Sequence, residues 1–155
     1  MKIRELKDKD IPQISKLYFN TVRKINSKDY SREHVETWAP EIYDDSFWSR
    51  RFDNYTVLVA EDADMILGFC ELQYPGHIDC FYVHHQWQRK GVGTQLLKSV
   101  ESVAEKNGFK RLFADVSITA RPFFSKRGFE TVSEINKKYR ELTFKLYFME
   151  KYLTA

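Results

Sequence analysis

The chain has 155 residues, 43% of them apolar and 30% charged, with a net charge of +3. That is ordinary composition for one globular domain, read here over residues 1–155, with enough chain for a real core. It excludes a helical membrane span, which needs about 20 consecutive apolar residues, and it argues against nucleic acid, which calls for a clustered basic face.

The start, Met1 to Leu6, lacks the apolar run of a signal peptide, so a cytoplasmic location is expected. Lys2 to Leu6 alternates like a first strand. Asp8 or Asp10 can cap a helix with Pro12 in its first turn, where the missing N–H costs nothing. Ile11, Ile14, Leu17, Tyr18, Val22 and Ile25 then recur at helical spacing. Ser31 can cap a short helix to Trp38, stopped by Pro40, and Asp45 or Ser46 a third piece, Phe47 to Phe52. Tyr55–Glu61, Ile66–Tyr74 and His77–His84 read as an antiparallel meander joined by short turns. Val92, Leu96, Leu97, Val100, Val103 and Ala104 form the apolar stripe of a strong helix that ends at Asn107-Gly108. A strand over Arg111–Ser117, a short helix from Thr119 to Arg127 and two strands, Phe129–Asn136 and Arg140–Glu150, complete the chain. The helix between strands 77–84 and 111–117 predicts a crossover and a parallel pair. The expected fold class is a mixed α/β sheet of about seven strands, mostly antiparallel, with helices on both faces. Cys70 and Cys80 lack metal-ligand spacing and lie in apolar strands, so they read as reduced core residues and no metal is expected.

The chemistry concentrates in Gln88-Arg89-Lys90-Gly91-Val92-Gly93-Thr94. A strand runs into a glycine-containing loop, and a helix starts there. The first N–H groups of a helix have no intrahelical partner, and the macrodipole adds partial positive charge. Gly91 and Gly93 let an anion approach the backbone, Arg89 and Lys90 add charge, and Thr94 adds a hydroxyl. This is a site for a phosphate or pyrophosphate. It lacks the GxxxxGK[ST] of a P-loop and the third glycine of a dinucleotide fingerprint. Alone it could equally be a tight strand-to-helix connection.

Two motifs carry it further. Ile78 through Leu97 (IDCFYVHHQWQRKGVGTQLL) resembles the central motif of the GNAT superfamily of N-acyltransferases. Ala120-Arg121-Pro122-Phe123-Phe124-Ser125-Lys126-Arg127-Gly128-Phe129 resembles that family's A-x-x-F-Y-x-K-x-G-F segment. The element order matches as well, so the resemblance covers almost the whole chain. Tyr30-Ser31, Trp38-Ala39-Pro40 and His77-Ile78-Asp79 resemble a subgroup of small bacterial acetyltransferases.

The resemblance implies acetyl-CoA as cosubstrate, held where the fourth and fifth strands splay apart. The backbone along Phe81, Tyr82 and Val83 would meet the pantetheine arm, and Gln88 to Thr94 the pyrophosphate. Ser117, Phe123, Phe124 and Lys126 would flank the thiol and pantetheine. It implies direct attack of a neutral amine on the thioester, with a backbone N–H of Phe81 or Val83 polarising the carbonyl. For the base, strand parity puts His77, Asp79, Phe81 and Val83 on one face. Asp79 ranks first as base or amine binder, because a charge in an apolar strand is costly unless paired or functional; His77 ranks second and Glu71 third. Where many relatives place a tyrosine acid this chain has Phe124, so either the thiolate leaves unprotonated or a water or another group does this work, the candidates being Tyr82, Tyr139, Tyr30 and Ser125. That change also motivates the alternative of a non-catalytic acyl-CoA-binding or regulatory module.

On the acceptor side, Asn26 to Asn54 carries four Lys/Arg and seven Asp/Glu, a net −3 against +6 elsewhere. Its aromatics, Tyr30 and Trp38 among them, beside carboxylates suit a small cationic or aromatic amine. The last strand, Leu142 to Met149, is apolar on both faces, so it is either central or the route to a homodimer.

Overall fold

The computed structural model describes residues 1–153. β1 (Lys2–Glu5) passes through a 3-10 turn at Asp8–Asp10 into α1 (Ile11–Lys24), with Pro12 in the first helical turn. The Asp10 carboxylate fixes this entry. It accepts the Lys7 N–H at 2.8 Å and both ends of the Arg4 guanidinium at 2.8 and 2.9 Å. α2 (Arg32–Trp38) starts on Ser31, whose hydroxyl accepts the His34 N–H. α3 (Asp45–Phe52) starts earlier than expected. Its cap is Asp44, not Asp45 or Ser46: Oδ1 accepts from the Phe47 N–H at 3.0 Å and from the Ser46 hydroxyl at 2.7 Å.

β2 (Thr56–Asp62), β3 (Met65–Gln73) and β4 (His77–Val83) form the expected meander. α4 (Val92–Lys106) then crosses to β5 (Arg111–Ser117), and α5 (Arg121–Lys126) leads to β6 (Glu130–Tyr139) and β7 (Leu142–Tyr152). The seven strands lie in the order β1-β2-β3-β4-β5-β7-β6, and only β4 and β5 run parallel. The expected fold class therefore holds, splay included.

The last hairpin differs from expectation. Arg140 does not open the final strand. Arg140 and Glu141 form a two-residue turn with φ of 48° and 71°, the left-handed pair that such hairpins require. Neither residue type signals that conformation. β7 lies between β5 and β6, so both its edges are paired and it offers no edge for a homodimer. Its doubly apolar character comes from its interior place in the sheet.

Two cores flank the sheet. On one face α4 packs Val92, Leu96, Leu97 and Val100 against Ile78, Leu112, Ala114, Phe124 and Met149. On the other, α1 and α3 pack Ile14, Leu17, Trp48 and Phe52 against Val59, Phe69 and Cys80. None of the described helices is long and apolar enough to cross a membrane.

Candidate active site

β4 and β5 are joined at one rung. His77 pairs with Phe113, and the Phe113 N–H donates to the Gly76 carbonyl at 3.0 Å. Beyond that rung β4 follows β3 and β5 follows β7, so the two parallel strands diverge. A cleft of about 680 Å³ opens between them. Gln88, Ser117, Phe123, Asp79, Tyr43 and Arg140 are among the residues that line it.

A bulge in β4 shapes the middle of this cleft. Cys70 pairs with Phe81 and Leu72 with Ile78, so Glu71 alone opposes both Asp79 and Cys80. The extra residue breaks simple alternation, as bulges beside functional sites do. Ile78 and Phe81 thus share the α4 core, while Cys80 and Tyr82 pack toward α1. The sequence parity is corrected here: Asp79 does not lie on the face of Phe81 and Val83.

Asp79 faces α3. Arg51 Nη2 donates to Asp79 Oδ2 at 2.9 Å and lies 3.4 Å from the Cys80 sulfur. The Tyr55 hydroxyl donates to the same carboxylate oxygen at 2.6 Å. Burial and that hydrogen bond push the Tyr55 phenol up, so it remains a donor. Glu71 is wholly buried and receives Arg51 Nε on both oxygens, at 2.8 and 3.0 Å. Burial pushes its carboxyl up, against the pull of Arg51. Glu71 does not line the cleft, so it can reach an acceptor only through Arg51. His77 does line it and stacks on Phe113, with ring centres 5.3 Å apart. Cys70 and Cys80 are free and buried, as expected.

The loop leads from β4 into α4. Gln88 Nε2 donates to the Val83 carbonyl at 2.8 Å, and Arg89, Lys90 and Gly91 are exposed. Gly91 is the N-cap of α4 at φ 85°, so the N–H groups of Val92, Gly93 and Thr94 open toward the loop without intrahelical acceptors. Gly93 is buried under α5: a Cβ there would lie 2.8 Å from the Phe123 ring. Arg127 was missed by the sequence reading. It donates to the Thr94 hydroxyl through Nη2 at 2.7 Å and Nε at 3.2 Å, and its guanidinium lies 3.8 Å over the Phe123 ring. It therefore brings positive charge to the start of α4, whereas its neighbour Lys126 is exposed; neither lines the cleft itself. Adjacent basic residues at the end of a short helix gave no way to choose between them.

The remaining predicted residues divide. Ser117 lines the cleft, and its hydroxyl accepts from the Ala120 N–H at 3.1 Å. Trp38, Tyr82 and Phe123 line it too. Tyr30 does not. Its hydroxyl donates to the Lys145 carbonyl at 2.6 Å and accepts from the Ile118 N–H at 2.9 Å, tying the segment before α2 to β7 and the end of β5. Phe124 is buried against Phe81, Phe123 and Phe129. Of the substitutes for its missing hydroxyl, Tyr82 and Tyr139 line the cleft and Ser125 and Tyr30 do not. None of the carboxylates of the acidic stretch 26–54 lines it either.

An acyl-CoA-sized group fits this arrangement on grounds internal to the structure. Among the described residues the splay leaves strand edges without partners, the α4 start is open, and the buried Thr119 hydroxyl in the cleft wall has no hydrogen-bond partner. Comparison with known proteins agrees. A family model described as an acetyltransferase (GNAT) domain matches residues 26–152. The chain is 30% identical over 150 residues to the uncharacterised N-acetyltransferase YafP of Escherichia coli (strain K12), covering 96% of this chain and 94% of that one. A GCN5-related N-acetyltransferase structure from Rhodopseudomonas palustris, also described as an aminotransferase, class-II, is 28% identical with a TM-score of 0.92, covering 98% and 95% of the two chains. The fold also matches PaiA N-acetyltransferase of Thermoplasma acidophilum, solved in complex with coenzyme A, at 21% identity and a TM-score of 0.76 over 98% of each chain.

Proposed function

Because the chain belongs to the GNAT acetyltransferase family, we propose that it transfers an acetyl group from acetyl-CoA to the primary amine of a small molecule by direct attack. The observation that carries this reading is one cleft, opened by the β4–β5 splay, that is lined both by Gln88 at the head of the α4 loop and by Asp79. Gln88 to Thr94 and Arg127 receive the pyrophosphate on backbone N–H groups and positive charge. Phe81, Val83, Ser117, Phe123 and Phe124 line the path of the arm. Acetyl-CoA supplies the thioester, whose carbonyl carbon bonds to the amine nitrogen as the C–S bond breaks and sulfur leaves with the electron pair; the second proton that the nitrogen then sheds reaches the thiolate through solvent.

The chain's own task is proton handling. Asp79 accepts the proton that the ammonium loses before attack and passes it to solvent at the cleft mouth. Arg51 and Tyr55 hold its carboxylate in one orientation while this happens. His77, on the cleft wall two residues earlier, is the next acceptor in line. Glu71 is a positioning residue acting through Arg51.

Thiol release on mixing acetyl-CoA with an amine panel tests the activity. Asp79→Asn should cut turnover by about a hundredfold or more while acetyl-CoA binding stays intact. The burial of Phe124 where relatives carry a hydroxyl favours a second reading, acyl-CoA binding without turnover. Tight acetyl-CoA binding with no thiol release from any amine would establish that reading instead.

A further inference from the structure

The charges in the cleft are unevenly matched. Five charged side chains line it: Arg51, Asp79, Asp115, Lys137 and Arg140. Arg51 is neutralised by Glu71 and Asp79. Lys137 and Arg140 have no ion-pair partner among the described residues; the Arg140 guanidinium lies 5.1 Å from the centre of the Tyr139 ring. Asp115 cannot serve them. It is paired to Phe148 on one side of β7, and Lys137 to Phe144 on the other. Two strand spacings and four residues of rise separate them by roughly 15 Å.

Neither cation belongs to the α4 loop: Lys137 is on β6 and Arg140 in the β6–β7 turn. Lys137 pairs with Phe144 of β7, and the Arg140 side chain reaches the Tyr43 hydroxyl, whose ring stacks on Phe47 at 4.4 Å. The Ser15 hydroxyl donates to the Tyr43 carbonyl and fixes the opposite wall. The β6–β7 hairpin thus adds two unneutralised cations and an aromatic wall to the cleft that Asp79 also lines.

Resting on the acetyl-transfer reading, we propose that the acceptor is a small amine bearing an acidic group, a carboxylate, phosphonate or phosphate, which Lys137 and Arg140 bind within the cleft that Asp79 lines. This reverses the cationic acceptor that the acidic 26–54 stretch suggested, since none of those carboxylates reaches the cleft. Two charge-assisted contacts give an acidic amine the advantage over its neutral analogue.

The test compares 3-aminopropylphosphonate and amino acids with their neutral amides and with diamines, using thiol release by wild type, Lys137→Ala/Arg140→Ala and Lys137→Glu/Arg140→Glu. Wild type should favour the acidic amines, and the ratio of their kcat/KM to that of the neutral amides should fall about 30-fold in the alanine double variant. The glutamate variant should shift preference to diamines. Equal rates for acidic and neutral amines, or a wild-type preference for diamines, would overturn the proposal. If no amine releases thiol, the acetyl-transfer reading fails separately. Calorimetric binding of 3-aminopropylphosphonate in the presence of CoA then decides: binding lost in the alanine variant sustains the anionic subsite, and no binding to wild type sinks it.

Discussion

Arg51 and Asp79 pair at 2.9 Å across the bulge of β4, although 28 residues separate them. The same guanidinium is the only ion-pair partner of the wholly buried Glu71 among the described residues. Removing one member of such a pair strands a charge in the core, which typically costs about 3–5 kcal/mol. Arg51→Met should therefore destabilise the fold by about that amount, read by urea unfolding. The loss should be larger at pH 8 than at pH 5, because protonation relieves a stranded carboxylate. Adding Glu71→Gln should restore part of the stability. An Arg51→Met variant as stable as wild type would remove Arg51 as the clamp of this site.

Gly91 and Gly93 predict different failures. A Cβ at position 93 would press the Phe123 ring at 2.8 Å, and that ring is covered by Arg127. Gly93→Ala should shift α5 away from the loop and weaken acetyl-CoA binding about tenfold, or ~1.4 kcal/mol. At Gly91 a Cβ meets nothing within 4 Å, but φ is 85°. Gly91→Ala should cost stability, about 1 kcal/mol of backbone strain, with a smaller effect on affinity. Isothermal titration and thermal melting separate the two.

The fold was legible because its signals are local. Ser31 announced α2, the stripe from Val92 to Ala104 announced α4, and an apolar strand before a crossover helix announced the parallel pair. The Arg140-Glu141 turn was not legible, since neither residue advertises a left-handed φ. The site was half legible. Its loop is a contiguous motif, but the bulge at Asp79-Cys80 is set by pairing with β3, and period-two reasoning put Asp79 on the wrong side. Arg51, Tyr55 and Arg127 reach the site from helix ends and a loop distant in sequence. None of the carboxylates of the acidic stretch lines the cleft, and composition could not show this: Asp44, for one, is used to cap α3.

Arg127 and Thr94 give a third prediction. The guanidinium holds the hydroxyl of the α4 first turn and adds charge where a pyrophosphate would sit. Arg127→Gln should raise the Kd for acetyl-CoA about tenfold and flatten its salt dependence, because surface charge attraction is screened within about 8 Å at physiological salt. Lys126→Gln, one residue away and exposed, should have the smaller effect. The reverse order of the two variants would return the role to Lys126.

The last prediction concerns acid. Burial pushes the Asp10 carboxyl up, but the two-point pair with Arg4 and the Lys7 N–H outweigh it and hold it below the ordinary 3.8. A carboxylate depressed in the folded state adds stability that is present above its unfolded value and lost as pH falls through its folded value. Glu71 has the opposite sign. Its carboxyl is raised above 4.5, so its contribution is present below that value and is lost as pH rises through the folded one. The two act in different windows and can be separated. Asp10→Asn should cost about 2–3 kcal/mol near neutrality, since it breaks a buried pair at the entry of α1. It should also flatten the stability curve below pH 3.8. Glu71→Gln should leave that acid limb unchanged and alter the slope only above 4.5. Urea midpoints measured from pH 2.5 to 8 for the three chains decide it, and an acid limb in Asp10→Asn as steep as in wild type would mean that another carboxylate governs acid unfolding.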